Sequence, residues 1–529
     1  MNDGILFPYL TRQETNGFSV IEFNAEYATK VGAMNDRPTL VHLGLNCEYT
    51  RGVVNRCLNR RQKFCKKVSG DVVDHINMDI QTDTANYDQD PIIQIADFEN
   101  IQWEMVMTGK HRASSYLVRK GLSRKAQLAL QIKRYTAKHP NSILKTAFPE
   151  TMIIETWGAF EDVKVDFGMG TVADFGNCGI QASLRERLTW CVEEYKNKFS
   201  IRKNYTFDIH YDDGDKEEGV EFANLRTVNN INGKFCIGDK IEANYRGGGC
   251  WYPGKIIKVP EEKDNKQTQT QEISQRWILK PSVTNKGADI FLCKNWEMFI
   301  DSLEEKSHVR EWVLQSYIER PLLCCGYKFH LRVYILCVGA LQVYVFDDIL
   351  MLLAAHKYED GDTTDIYAHL TNTARAVEDI NFSEKLFVKT LDDLPYHMST
   401  EYPQILEEAG GNVKLLSNIR KKIHKITKEL FCAFENEYTV FSPMANCFEL
   451  YGLDFMVDEE LNVSFLEANP GPDFKQTGGR LKKLIMQLWE QTLTIVVDQV
   501  DPLVNAPTFT KVYDQEASVS KLGGGLSFN

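Results

Sequence analysis

The chain has 529 residues, 43% of them hydrophobic and 25% charged, an ordinary balance for a soluble globular protein. Its 61 basic and 73 acidic residues leave a net charge of −12. That excludes a generic duplex-DNA binder, whose surface must be basic against phosphate, but not a local basic cleft for an anionic ligand. The length implies roughly three to four domains at about 150 residues each.

The opening Met1-Asn2-Asp3-Gly4 has no basic stretch leading into an apolar one, so no secretory signal is read and a cytoplasmic protein is expected. The longest apolar run, Val333 to Phe346, is interrupted by Gly339 and Gln342 and closed by Asp347-Asp348. It is too short to span a bilayer. The alternation of Leu341, Val343 and Val345 with Gln342 and Tyr344 predicts a strand. Thirteen cysteines at scattered spacings, none paired as CxxC, read as reduced intracellular thiols.

Residues 1–199 are taken as an N-terminal region. It holds the short apolar run Thr39 to Leu43 and a basic stretch from Arg51 to Lys67, with Arg60-Arg61 and Lys66-Lys67. This stretch is either a solvated helix face or a contact surface for an acidic partner. His111 to Tyr135 is helical and basic, His139-Pro140-Asn141 breaks it, and Met152 to Glu155 predicts a strand.

Residues 200–262 have the texture of an inserted small β-barrel. Tyr205 to Gly219 alternates up to a turn at Asp213-Gly214, and Phe235 to Val259 predicts a hairpin looped at Arg246 to Gly249. Residues 263–275 are a polar linker, unable to bury enough apolar surface to order itself.

Residues 276–505 alternate strands with longer helices. The predicted strands are Arg276 to Lys280, Val313 to Tyr317, Phe329 to Val338, Leu341 to Phe346, Phe448 to Val457 and Leu461 to Glu467. The predicted helices are Trp296 to Leu303, Val413 to Glu435 and Leu481 to Asp498. The fold class is α+β with a largely antiparallel sheet. Residues 506–529, with Gly523-Gly524-Gly525, are expected to form a flexible tail.

Four elements of this region suit nucleotide phosphoryl chemistry. Lys280-Pro281-Ser282-Val283-Thr284-Asn285-Lys286-Gly287 is a strand end followed by a small polar loop. It can turn N–H groups toward phosphate, although a surface turn reads equally well. Val313 to Ile318 opens into Glu319-Arg320-Pro321 and can offer its backbone to an adenine edge. Lys328, His330 and Arg332 share one strand face, which needs an anion, solvent or a salt bridge to offset it. Asp454, Glu467 and Asn469 lie in two apolar strands across one turn. Such carboxylates are costly to bury unless paired or metal-bound, and three oxygen ligands suit Mg²⁺; a structural carboxylate cluster is the alternative.

In this order the four elements resemble the ATP-grasp fold, and specifically the tubulin–tyrosine ligase family. The resemblance runs from about His111 through R-W-I-L-K-P, V-L-Q-S-Y-I-E-R-P-L-L, K-F-H-L-R-V-Y, A-H-L-T-N-T and Y-G-L-D-F-M-V-D-E-E-L-N-V to F-L-E-A-N-P-G-P-D-F-K-Q-T-G. The D-F-K-Q-T-G ending, Asp473 to Gly478, is similar to that of the fungal P-body-associated members. The resemblance implies an ATP- and Mg²⁺-dependent ligase that joins an amino acid to a protein carboxylate, on tubulin or another acidic tail, through an acyl phosphate. By position it implies that Lys280 and Lys328 hold phosphates and Arg332 meets the reacting carboxylate or γ-phosphate. Gln315, Tyr317 and Ile318 would border the adenine. His369, Thr371 and Asn372, with Ser282, Lys286, Gly287 and the early lysine Lys125, would line the nucleotide site. Asp454, Glu467 and Asn469 would hold Mg²⁺.

Two departures leave turnover open. Asp347-Asp348 follows Tyr344-Val345-Phe346 where members carry a basic residue, and Asp289 replaces a glycine of the phosphate loop. Acids near phosphate repel it unless a cation such as Lys357 offsets them. A non-enzymatic alternative is an ATP-binding scaffold, weak or inactive, in a cytoskeletal or RNA-granule complex. The insert is similar to a Tudor-type barrel, either two repeats each cut in half or one barrel with its halves in swapped order; about 60 residues suffice for one small barrel and favour the second. That resemblance implies an aromatic cage for a methylated peptide from Tyr211, Tyr245, Trp251 and Tyr252, with Asp213 where an aromatic often stands. Core aromatics of a structural barrel are the alternative.

Overall fold

Twelve residues, Tyr327–Val338, form the strand around which the principal sheet is built. This computed structural model describes residues 10–15, 18–23, 39–61, 65–68, 92–159, 183–199, 206–221, 225–227, 237–244, 251–258, 275–283, 289–360, 365–371, 387–472, 474, 481–499 and 509–515. The chain divides into two compact units. One comprises Met1–Trp157, Ile278–Leu292 and Lys306–Asn529; the other comprises Gly158–Trp277 and Cys293–Glu305.

In the first unit the eight-stranded sheet is antiparallel in the order Val388–Thr390, Leu350–Leu353, Tyr327–Val338, Gln342–Phe346, Phe509–Asp514. Phe448–Val457 also pairs with Tyr327–Val338 and with Val463–Pro470. All ten residues of Phe448–Val457 are buried, which removes the alternation expected of a strand with one wet face. The helix Asn412–Cys432 buries Leu415, Ile419, Ile423, Ile426 and Leu430, spacings of three and four that make one apolar stripe.

The tail expected beyond residue 505 needs correction. Phe509–Asp514 is a sheet strand, with Phe509 and Tyr513 buried. The Tyr513 hydroxyl donates to Glu435 at 2.7 Å. Phe509, Val512 and Tyr513 stand among Thr510, Lys511 and Asp514 without a period of two, so the segment gives no strand signal of its own.

A second sheet of this unit is parallel, in the order Cys65–Val68, Thr39–Gly44, Ile92–Ala96, His111–Ala113. Beside it, the basic stretch is neither a solvated face nor a docking surface at Arg61. That side chain is 2% exposed. It forms an ion pair with Glu490 and donates to Asp498 at 3.1 Å and Thr494 at 3.0 Å. The acidic partner is the chain's own helix Lys482–Val496 and the residues after it. Arg60, about half exposed, reaches Glu490 at 2.9 Å. Another buried hub is Glu449, which accepts from Ser115, the Tyr116 N–H, Arg119 and Tyr451.

The second unit contains a five-stranded antiparallel sheet in the order Leu225–Thr227, Lys240–Asn244, Trp251–Lys258, Thr206–Tyr211, Lys216–Glu221. Its core is Ile209, Tyr211, Val220, Ile241, Ala243 and Ile256. One sheet joins both sequence halves through Gly254 opposite Tyr211, where a Cβ would meet the His210 carbonyl oxygen at 2.9 Å. This unit is wider than residues 200–262. It also contains the helix Leu184–Val192, closed by a Ser183–Glu186 capping box, and the aromatic cluster Phe199, Trp277, Trp296 and Phe299. The expected boundary at residue 199 therefore falls inside it. Tyr211 is a core residue whose hydroxyl donates to Glu217 at 2.6 Å, which removes it from an open cage. Tyr252 is exposed. Tyr245 and the Trp251 side chain lie outside the described residues.

Candidate active site

The period of two along Tyr327–Val338 sends Lys328, His330 and Arg332 to one face. Antiparallel pairing then sets Arg332 opposite Asp454, and Asp454 opposite Glu467. The second pairing depends on an irregularity. Phe455 pairs with Phe465, so an unbroken register would bring Leu466 opposite Asp454. The bulge between Asp454 and Phe455 brings Glu467 there instead. Gly452, opposite Asn469, leaves room for the arginine: a Cβ there would meet Arg332 Cδ at 2.9 Å.

The side chains converge. Arg332 donates from Nε to Asp454 Oδ1 at 2.5 Å and from its terminal nitrogen to Oδ2 at 3.0 Å. Asn469 Nδ2 donates to Asp454 Oδ2 at 3.1 Å and Glu467 Oε1 at 3.3 Å. Lys125 Nζ stands 3.8 Å from Glu467 Oε2. Lys280 Nζ donates to Gln315 Oε1 at 3.0 Å, and Gln315 donates onward to Thr151 Oγ1 at 3.1 Å. Lys328 Nζ lies 3.8 Å from the Tyr317 ring centroid, a cation–π contact. Tyr317 and His369 share a hydrogen bond of 2.7 Å, and His330 Nδ1 and Thr371 share one of 2.6 Å. His330 Nε2 is buried with no hydrogen-bond partner among the described residues, 3.7 Å from Asp454 Oδ1.

The electrostatics follow from burial and this charge set. Burial pushes Glu467 up, but Lys125 and Lys280, with the Asn469 hydrogen bond and Arg332, outweigh it and hold the carboxyl at about 2. Burial lowers Lys280, opposed by Glu467. Burial would lower Arg332 as well, but Asp454 holds it above its ordinary value. Burial lowers His330, against the pull of Asp454, which favours a neutral imidazole. Of six charged groups, four are cationic (Lys125, Lys280, Lys328, Arg332) and two anionic (Asp454, Glu467). A site with this surplus is completed by an anion. The two carboxylates and the Asn469 amide supply hard oxygen donors at one point, a set that fits Mg²⁺ once the amide turns to present Oδ1.

The other expected residues divide. Ser282 is buried, its carbonyl accepting from the Lys125 N–H at 3.0 Å and its hydroxyl from the Ala126 N–H at 3.2 Å. It holds the start of the helix Lys125–Lys138, so its expected place on the nucleotide is corrected to a structural one. Ile318 lines a cleft of about 300 Å³ with Pro149, Ser316, Glu319, Arg320 and Ser464. Lys286, Gly287 and Asn372 lie outside the described residues. Both departures have partners. Asp289 has φ 57°, the left-handed conformation a glycine would supply, and pairs with Lys306 at 3.0 Å. Asp347 lies 3.2 Å from His424 Nε2 and accepts from Thr510 at 2.8 Å. Lys357 lines another cleft with His356 and Asp365. Thr151 and Gly452 were not anticipated. The glycine in Tyr451-Gly452-Leu453 was a visible signal, since a glycine inside a strand marks a close approach.

Residues 255–503 match the family model described as the Tubulin-tyrosine ligase family. A Saccharomyces cerevisiae protein, "Probable tubulin--tyrosine ligase PBY1", is 28% identical over 449 residues, covering 80% of this chain and 49% of that protein. A Schizosaccharomyces pombe protein, "Probable tubulin--tyrosine ligase C12B10.04", is 27% identical, covering 81% of this chain and 87% of that protein. The chain thus spans about half the length of the first relative and most of the second. The crystal structure of the C-terminal domain of K. lactis Pby1 superposes with a TM-score of 0.52 at 23% identity, covering 90% of this chain and 99% of that domain. It is described as an ATP-grasp enzyme interacting with the mRNA decapping enzyme Dcp2, and the likeness shows a common fold.

Proposed function

We propose that the chain is an ATP-dependent ligase: residues 255–503 match the Tubulin-tyrosine ligase family model, and the fold is like that of an ATP-grasp enzyme. It joins an amino acid to a carboxylate of an acidic protein tail, tubulin or another. The observation that carries this reading is the row Arg332, Asp454, Glu467, with Asp454 buried and its neighbours half-buried, and with Lys125, Lys280 and Lys328 around it. Polyphosphate neutralises the cationic surplus, and Gln315 and Tyr317 border the base.

In the reaction the substrate carboxylate oxygen attacks the γ-phosphorus and ADP leaves. The amino group of the second substrate then attacks the acyl carbon and phosphate leaves. Lys280 and Lys328 hold the phosphates, and Arg332 orients the reacting carboxylate or the γ-phosphate. Bound at Asp454, Glu467 and Asn469, Mg²⁺ supplies Lewis-acid neutralisation of the transferring group. No protein nucleophile is needed.

The test is incubation with Mg-ATP and labelled amino acids on cell extract. Label in an acidic-tailed protein that disappears in Glu467→Gln is expected. Nucleotide binding without any labelled protein overturns the ligase in favour of a scaffold in an RNA-granule or cytoskeletal complex. The Dcp2 association of the K. lactis protein is what favours that second reading.

A further inference from the structure

A two-residue turn precedes the strand that carries Lys328, His330 and Arg332. Leu323–Cys324 pairs with Tyr327–Val338 in a register of Leu323 to Lys328 and Cys324 to Tyr327. That leaves Cys325-Gly326 as the whole loop, with φ 56° and 77°, as a type I′ turn requires. Gly326 suits this at no steric cost. Cys325 does not: the left-handed region favours glycine, asparagine and aspartate, and a cysteine there carries local strain. Something other than the turn accounts for a thiol at this position.

The neighbours supply a reason. Cys325 Sγ lies 3.3 Å from His397 Nδ1, on the helix Leu394–Glu401. The adjacent Cys324 is buried and Cys325 is exposed. The two sulfurs and one nitrogen of His397 all lie within 4.8 Å of one another. One turn further along the helix, Glu401 accepts from the Cys325 N–H with both carboxylate oxygens, at 2.8 and 2.9 Å. The turn is therefore anchored to the same helix that presents the imidazole.

We propose that Cys324, Cys325 and His397 form a binding site for a thiophilic divalent cation of the Zn²⁺ class. Two sulfurs and an imidazole are the donors that select such an ion over Mg²⁺ or Ca²⁺, and three ligands leave a fourth position for water. The exposed Cys325 gives the ion its way in. Glu401, through the Cys325 N–H, fixes the ligand-bearing turn as outer partners do in metal sites. Binding ties the helix Leu394–Glu401 to the turn that starts the strand of Lys328 and Arg332. The site is independent of the ligase reading.

The test uses the full chain, freed of metal, titrated with Co²⁺ and then Zn²⁺. One equivalent of Co²⁺ giving thiolate-to-metal charge-transfer absorption, displaced by Zn²⁺, is expected. Cys325→Ser and His397→Gln should each weaken binding by more than about 100-fold, since loss of even an outer partner costs roughly 10- to 100-fold; Cys432→Ser should titrate like the parent. Should a variant fail to fold, the parent protein decides: Zn²⁺ should protect the exposed Cys325 from alkylation, read by peptide mass, and leave Cys432 unprotected. A parent that binds no Co²⁺, variants that titrate unchanged, or alkylation of Cys325 at an undiminished rate overturns the proposal.

Discussion

Arg332 and Asp454 face each other across adjacent strands, and the guanidinium donates twice to the one carboxylate. This fork fixes the carboxylate plane against Glu467 and Asn469 and keeps the half-buried arginine charged. An ammonium cannot reproduce it. Arg332→Lys is expected to fold and to lose most turnover. Arg332→Ala, which strands Asp454, is expected to cost about 3–5 kcal/mol. Urea midpoints alongside ATP consumption check both, and a fully active Arg332→Lys would show that the fork is dispensable.

Gly452 gives the arginine its path. In Gly452→Ala the new methyl would stand 2.9 Å from Arg332 Cδ and 3.3 Å from Pro472 Cβ. Strain of about 1–3 kcal/mol is expected, with the guanidinium displaced from Asp454. The kinetic signature is a fall in kcat larger than the change in nucleotide affinity. Unchanged kinetics would mean that the side chain takes another route at no cost.

The Glu467 carboxyl titrates at about 2 in the folded chain against an ordinary 4.5. The sign follows directly: a depressed carboxyl adds stability that is complete above 4.5 and is lost as pH falls toward about 2. Glu467→Gln should therefore be less stable near neutrality, because Lys125 and Lys280 lose their counterion. It should also show a shallower decline in acid. Mg²⁺-dependent nucleotide binding should vanish in the same variant. Parallel acid-denaturation curves for the two proteins would remove Glu467 from the charge cluster.

Arg61, just past the end of the helix Glu48–Asn59, pairs with Glu490 and Asp498 at 2% exposure. Arg61→Ala leaves both acids facing an unfilled buried position, at an expected cost of about 3–5 kcal/mol. Because Arg61 is no part of the nucleotide cluster, the Kd for Mg-ATP should hold at temperatures below the new Tm. A variant as stable as the parent would show that solvent replaces the guanidinium freely.

Residues 200–262 contain a sheet with its own apolar core. Their removal, with the ends rejoined by a short Gly-Ser linker, should leave Mg-ATP affinity near that of the parent. Closure entropy changes slowly with loop length, about 0.6 kcal/mol per doubling. Calorimetric titration of the folded deletion protein checks this, and loss of binding would assign the insert a part in nucleotide retention.

What the sequence determined by itself was local and periodic. Alternation put Lys328, His330 and Arg332 on one strand face, and the apolar strands on either side of Asp458-Glu459-Glu460 brought Asp454 and Glu467 across one turn. The helix Asn412–Cys432 was legible from its three-and-four spacing. The family resemblance extended these to a nucleotide site.

Tertiary structure decided whatever depends on register or on distant partners. A single bulge, invisible to periodicity, chooses Glu467 over Leu466 opposite Asp454. Ser282, polar and beside a lysine, looked like a phosphate ligand until the helix start at Lys125 claimed its hydroxyl. Arg61 looked solvated because its acids lie more than 400 residues away, and Phe509–Asp514 became a strand only through the edge offered by Gln342–Phe346. Short-range pattern reports which face a residue takes. Only the packed chain reports what that face meets, because long-range contacts rest on strand pairing and burial that no local window contains.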